Sequence, residues 1–299
     1  MIEHILFELQ NYQERMLKKS KERFRDYLFE KAKTLNLKTT IIPKSSLAAN
    51  VVIGDLEKAQ IVIGAHYDTP PRMFSWFASH PILFNILIVI FFLGLLPIVV
   101  LLFPFEIAFV IHIIILILFF AYLLGFIAIP NKNNYNDNTS GILALLYLMH
   151  QIKSEKVTFV FFDNEEKGLI GSLLFARYLR SKQKKFIILD CIGVGETIAF
   201  YYYKNKDFAS KISSSFINLD NLNYNHEIKK GSYFATSDHL SFRYHPHVGI
   251  MAMKKKKGRL TISNIHSELD NFLEIENIHH VCRGIMKYLE DTYAINDQK

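Results

Sequence analysis

The 299-residue sequence predicts an α/β fold, a mixed, mostly parallel central sheet flanked by helices, into which a pair of apolar helices is inserted. Three observations predict it. Short β-branched and aromatic runs, Ile61 to Ala65, Val157 to Phe162 and the KFIIL that ends at Asp190, read as strands buried on both faces, and each stops at a polar tip. Segments of helical periodicity alternate with them, as parallel strands require. Two stretches, Ile82 to Phe103 and Ile107 to Ile129, contain no Asp, Glu, Lys or Arg over 22 and 23 residues.

Taken in order, residues 1 to about 36 place Ile5, Leu6, Leu9, Tyr12, Met16, Leu17, Phe24, Tyr27 and Leu28 at helical spacing. This predicts an amphipathic helix packed on the domain. Strands are expected at Thr39 to Ile42, Asn50 to Ile53 and Ile61 to Ala65. The third runs into His66-Tyr67-Asp68-Thr69, where a histidine at a strand tip can ligate a metal and a carboxylate two residues on can fix the local geometry.

The apolar stretches follow. As helices of about 33 and 35 Å they are long enough for a hydrocarbon core of about 30 Å. Pro104-Phe105-Glu106 would turn between them. The reading is a transmembrane helical hairpin at 82–129, dividing a catalytic domain formed by 1–81 and 130–299. Arg72 and Lys132 flank the hairpin and only Glu106 lies in its turn, so the positive-inside rule places the rest of the chain in the cytoplasm, as an integral protein of a bacterial inner membrane. The start of the chain has no basic region followed by an apolar core, and two cysteines without metal spacing, Cys191 and Cys282, read as reduced core residues. A net charge of +7 without a nucleic-acid motif favours a lipid bilayer over nucleic acid as partner, and the hairpin offers a route to a homo-oligomer.

After the hairpin, Asp137-Asn138-Thr139-Ser140-Gly141 reads as a polar loop with helix-capping chemistry, leading into a helix through Leu143, Leu146 and Met149. Val157 to Phe162 then ends in Asp163-Asn164-Glu165-Glu166. Adjacent side chains diverge, so one of the paired glutamates can bind a metal while the other handles a proton. Further on, Ile198 to Tyr203 is a strand, Phe208 to Phe216 a helix, HVGIMAM a strand, and Phe272 to Tyr293 a closing amphipathic helix. The run Lys254 to Arg259 is either a solvated loop or a polybasic patch facing anionic headgroups.

His66, Asp137, Glu165, Glu166, Asp190 and His266 stand together as polar residues at strand ends in alternating β/α order. Two histidines with several carboxylates suit zinc, and two metals sharing a carboxylate and a water suit hydrolysis through a tetrahedral intermediate.

The segments IVIGAHYDT, NDNTSG, FVFFDNEEKGLIGS, ILDCIG, SDHLSF and IHSELD, in this order, resemble the co-catalytic di-zinc aminopeptidases, a group with bacterial leucyl aminopeptidase, aminopeptidase Y and, more distantly, glutaminyl cyclase. The resemblance covers the chain from about Asn50 onward except the hairpin. It implies two zinc ions, with His66 and Asp190 on one, Glu166 and His266 on the other, and Asp137 bridging both. It further implies Glu165 as general base toward a bridging water, Asp68 as the group orienting His66, a cis peptide after Asp137, and Asp238 and His239 lining the substrate cleft. The expected activity is that of a membrane-anchored aminopeptidase acting on peptides near the bilayer. Glutaminyl cyclisation on the same scaffold, or a scaffold protein without catalysis, are the alternatives.

Overall fold

A computed structural model describes residues 1–43, 47–73, 97–123, 129–179, 183–217, 224–231 and 236–295, with isolated positions 75, 90, 94 and 219. The N-terminal segment forms two helices rather than one: α1 (Ile2–Leu9) and α2 (Lys18–Thr34). Between them a short 3-10 turn and an extended stretch carry Arg15 and Met16 into the interior. Strands β1 (Thr39–Ile41), β2 (Val51–Ile53) and β3 (Ile61–His66) follow.

The helix of the inserted region, α3 (Phe105–Leu123), has 19 residues, and Phe105, Phe109, Ile117 and Phe120 are more than half exposed. At 1.5 Å per residue it is about 28 Å long, and it begins with Glu106 in its first turn. Among the described residues, no helix is long and apolar enough to cross a membrane. This overturns the two-span transmembrane hairpin and the inner-membrane location read from it, because a run of uncharged residues does not by itself make a membrane-spanning helix. Most of the first predicted span, 82–103, lies outside the described residues.

The chain continues through α4 (Ser140–Gln151), β4 (Val157–Phe162), α5 (Ile170–Tyr178), β5 (Lys185–Leu189), β6 (Thr197–Tyr202), α6 (Lys206–Ser214), β7 (Asn225–Lys230), β8 (His247–Lys256), β9 (Arg259–Thr261) and α7 (Ile275–Tyr293). The sheet runs β1-β2-β4-β3-β5-β8-β6-β7, with β9 paired to β8. Its centre, β4-β3-β5-β8, is parallel; β1, β2 and the β6-β8 pairing are antiparallel. Pairing of β3 with β4 and β5 joins residues on either side of the inserted region into one sheet.

Both faces of the sheet are covered. One apolar layer packs α1, α2, α4, α6 and α7 side chains such as Leu9, Phe24, Leu148, Ile212 and Ile285 against Ile63, Phe161 and Leu189. The other stacks Phe162, Phe175, Phe186 and Phe242, with the Phe186 and Phe242 rings 3.9 Å apart. From β3 the chain adds β4 on one side, then crosses to add β5 on the other. The carboxyl ends of these strands therefore face a topological switch point, where open α/β sheets leave a crevice. The basic run Lys254 to Arg259 is not a free loop: it forms the β8–β9 hairpin, with Lys255 paired to Glu227 at 2.9 Å.

Candidate metal centre and its relatives

His66 and Asp190 are placed by the ends of β3 and β5, Glu166 by the turn after β4, Asp137 by the loop before α4 and His266 by a turn after β9. His66 is the last residue of β3 and is 2% exposed, because β3 is paired on both sides and its side chain falls into the crevice. Its Nε2 lies 3.3 Å from Asp137 Oδ1 and 3.7 Å from Asp190 Oδ1. Asp190 directly follows β5. On the other side of Asp137, Oδ2 is 3.0 Å from His266 Nε2, which is 3.4 Å from Glu166 Oε2. Asp137 thus stands between the two histidines with one oxygen toward each.

The loops that carry these groups are held by backbone and side-chain bonds. The Asp270 carboxylate accepts the N–H groups of Asn136 and Asp137 at 2.8 and 3.0 Å. Asn138 Oδ1 accepts from Gly141 and Cys191, tying the start of α4 to the end of β5. Gly141 allows that approach: a Cβ there would meet Asn138 Oδ1 at 2.6 Å and Leu189 O at 2.8 Å. The Asp137–Asn138 peptide is cis. Below the paired glutamates, a Cβ on Gly171 would lie 2.0 Å from Asp163 O, so α5 seats against the turn only through glycine.

Asp68 does more than face His66. Its carboxylate accepts the N–H groups of Glu165 and Glu166 at 3.0 and 3.2 Å, fastening the tip of β4 to the tip of β3. Its carbonyl oxygen lies 3.2 Å from His66 Nδ1, leaving Nε2 turned to the carboxylates. Asp238 and His239 open a 3-10 turn, Asp238–Phe242, and have no exposed surface. His239 packs beneath Gly249, whose added Cβ would be 2.7 Å from its Nδ1.

Crowded carboxylates set the electrostatics. Burial pushes the Glu165 and Glu166 carboxyls well above their ordinary value. Neighbouring acids add to this, and the His66 charge opposes it. Burial alone would lower the His66 imidazole; the Glu165 charge and the carboxylates of Asp137, Asp190 and Asp68 overcome it and hold it well above the usual range. For Asp137 burial is likewise outweighed, here by His266 and His66, so its carboxyl is held low. Burial lifts Asp238 and Asp270 each to about 7 and drops His239 to about 3.

The donor set fits a metal on observations of this molecule. Ligands about 2.0–2.1 Å from a tetrahedral zinc lie roughly 3.3 Å apart, and the four nitrogen–oxygen separations here span 3.0–3.7 Å. His66, Asp137 and Glu166 bring ligand atoms within 4.8 Å of one another. Among the described residues, Glu166 Oε1 and Asp190 Oδ1 are buried without a hydrogen-bond partner. Buried acceptors left so are costly unless something cationic meets them.

Comparison with known proteins agrees with this arrangement. The model of peptidase family M28 matches residues 128–288, just over half the chain. The chain belongs to peptidase family M28. The match takes in Asp137, Glu165, Glu166, Asp190 and His266; the His66 strand precedes it. No curated protein sequence matches the chain. Among solved structures, the Legionella pneumophila LapA aminopeptidase superposes with a TM-score of 0.65 at 14% identity, over 97% of this chain and 70% of that one. A Zn-dependent exopeptidase from Parabacteroides distasonis gives 0.62 at 16%, over 94% of each chain. The Bacteroides thetaiotaomicron glutaminyl cyclase bound to N-acetylhistamine gives 0.61 at 17%, also over 94% of each. At these identities the likeness is one of fold, which aminopeptidase and cyclase share. Within this M28 chain, Asp270 closes the IHSELD segment and supports the Asp137 loop, a role its motif did not assign, whereas the buried cations Arg15 and Lys21 carried no sequence signal of their own.

Proposed function

We propose that this M28 peptidase is a zinc-dependent aminopeptidase that binds two zinc ions and removes N-terminal residues from peptides. The observation that carries the reading is the Asp137 carboxylate, with one oxygen toward His66 and the other toward His266. His66 and Asp190 would hold one ion, Glu166 and His266 the other, and Asp137 both. When bound, zinc supplies Lewis-acid polarisation of the scissile carbonyl and lowers the pKa of the attacking water. Glu165 takes the proton from that water and returns it to the leaving amine. Its pKa, raised above the ordinary carboxyl value by burial first, makes it a stronger base toward that water than an exposed glutamate. Asp68 keeps Glu165 in place through its backbone N–H. Asp238, fully buried and close enough for its charge to raise the Glu165 carboxyl, would line the substrate cleft.

Zinc analysis beside turnover of amino-acyl p-nitroanilides, for wild type and Glu165→Gln, tests this. The reading expects two zinc ions in both proteins and hydrolysis in the wild type alone. Cyclisation confined to N-terminal glutamine would replace it with the cyclase reading, which the shared fold and matching chain length favour as second. Bound zinc with no turnover of either kind would leave a scaffold.

A further inference from the structure

Residues 1–127 lie outside the family match, yet one stretch of them reaches three of the turns described above. Arg15 is fully buried. Its Nε donates to the Tyr67 carbonyl at 2.6 Å, between His66 and Asp68. Its Nη2 donates to Asn134 Oδ1 at 3.1 Å and Thr139 Oγ1 at 3.0 Å, on either side of Asp137. Nη1 is anchored on its own segment by the Tyr12 carbonyl, and the Arg15 backbone N–H donates to Thr69 Oγ1. One planar fork therefore joins the β3 turn to the Asp137 loop, a geometry lysine cannot copy. Six residues later Lys21, also buried, donates to Asp163 Oδ1 at 2.7 Å and Asn164 Oδ1 at 2.6 Å, the two residues directly before Glu165 and Glu166.

We infer that Arg15 and Lys21 are positioning residues: a two-point clamp, supplied by the N-terminal segment, that sets the distances between the His66, Asp137 and Glu165–Glu166 turns on which zinc binding and proton transfer depend. None of the acceptors of Arg15 is a carboxylate, so the guanidinium is not there to neutralise one acid. It satisfies four oxygens from three segments, and a buried cation so placed is tolerated only because all of them converge. Lys21 forms a buried ion pair, and removing either partner strands the other. The inference rests on the proposed metal function, and its test reads metal affinity as well as turnover.

Arg15→Met and Lys21→Met keep an unbranched apolar stem and remove the donors. Zinc dissociation constants come from competition with a chromogenic chelator, fold from circular dichroism and apo melting temperature, and kcat and KM from peptide hydrolysis. The clamp predicts folded variants in which Arg15→Met weakens zinc binding by about 10–100-fold, the loss typical of supporting groups. Lys21→Met lowers kcat by about 10-fold with KM changed far less, because it displaces the turn carrying Glu165. Arg15→Lys restores only part of the zinc affinity. Folded variants that bind zinc and turn over within twofold of wild type overturn the clamp. If Arg15→Met does not fold, Thr139→Val, which removes one acceptor and leaves the guanidinium, decides in its place: a loss of zinc affinity of threefold or more supports the clamp, and a smaller change overturns it. Wild type that binds no zinc refutes the metal function itself, a result distinct from wild type and variants binding alike.

Discussion

The two sides of Asp137 hold the same kinds of ligand in different surroundings. On the Oδ1 side, His66 ends a strand paired with two neighbours and its side chain is 2% exposed. On the Oδ2 side, His266 stands on a turn with its backbone at φ 59°, and its side chain is 32% exposed. That turn meets the edge of the inserted region, where Met73 donates to the His266 carbonyl and Arg72 pairs with Glu268. Strand geometry is preorganised and turn geometry is not, so equal ligand chemistry need not give equal affinity. The difference teaches that the site has a rigid half built by the sheet and an adjustable half built by loops.

The largest expected effect would break the comparison, because it belongs to neither half. Glu165→Gln removes the proposed proton carrier and is expected to lower kcat by about 10²–10⁴-fold. Zinc content, measured by elemental analysis, stays at the wild-type level. A matching loss of zinc would show that Glu165 is a ligand rather than a base.

Removing a histidine sharpens the comparison. His66→Ala is expected to lose more zinc affinity than the about 10–100-fold typical of a supporting group, whereas His266→Ala keeps one tightly held ion. Chelator titration of the wild type correspondingly shows two steps, the weaker from the His266 side. Two indistinguishable steps would erase the distinction between the halves.

Acidity should act through the same ligands. His66 and Glu166 both have pKa values raised in the metal-free protein, His66 by neighbouring acids that outweigh its burial and Glu166 by burial and then neighbouring acids, so each holds its proton more tightly than usual and zinc competes with that proton. Zinc affinity therefore rises with pH through the neutral range, and calorimetry in buffers of different ionisation heat shows proton release. Affinity independent of pH between 6 and 8 would contradict this.

The smallest effect is expected at Asp270. Its carboxyl is raised by burial to about 7, and a carboxyl raised on folding removes stability as pH climbs from its unfolded value, about 3.9, toward 7. Asp270→Asn should flatten that part of the apo melting profile, while zinc affinity falls by about 10-fold as Asn136 and Asp137 lose their shared acceptor.

The proposed ligands His66, Glu166 and Asp190 were legible in the sequence because each sits at or just beyond the end of an apolar run, and β4 was expected and found at Val157–Phe162. Asp137 and His266 stand in polar segments and were legible only through the family resemblance. Strand β7, Asn225–Lys230, was not, since NHEIKK pairs at the sheet edge with no apolar run to mark it. The break between α1 and α2 was hidden by an apolar period that continues through Met16. Arg15 gave no signal, because bonds to Tyr67, Asn134 and Thr139 span 52 to 124 residues of chain and leave no local pattern. The membrane reading failed for the opposite reason: an uncharged run is a strong local pattern, yet among the described residues no helix is long and apolar enough to cross a membrane.

Anomalous diffraction at the zinc edge, from crystals of the metal-loaded protein, tests the central claim most directly. The account predicts two peaks about 3.5–4 Å apart, one against His66 and Asp190, the other against Glu166 and His266, with Asp137 touching both. A single peak, or peaks away from Asp137, would contradict it.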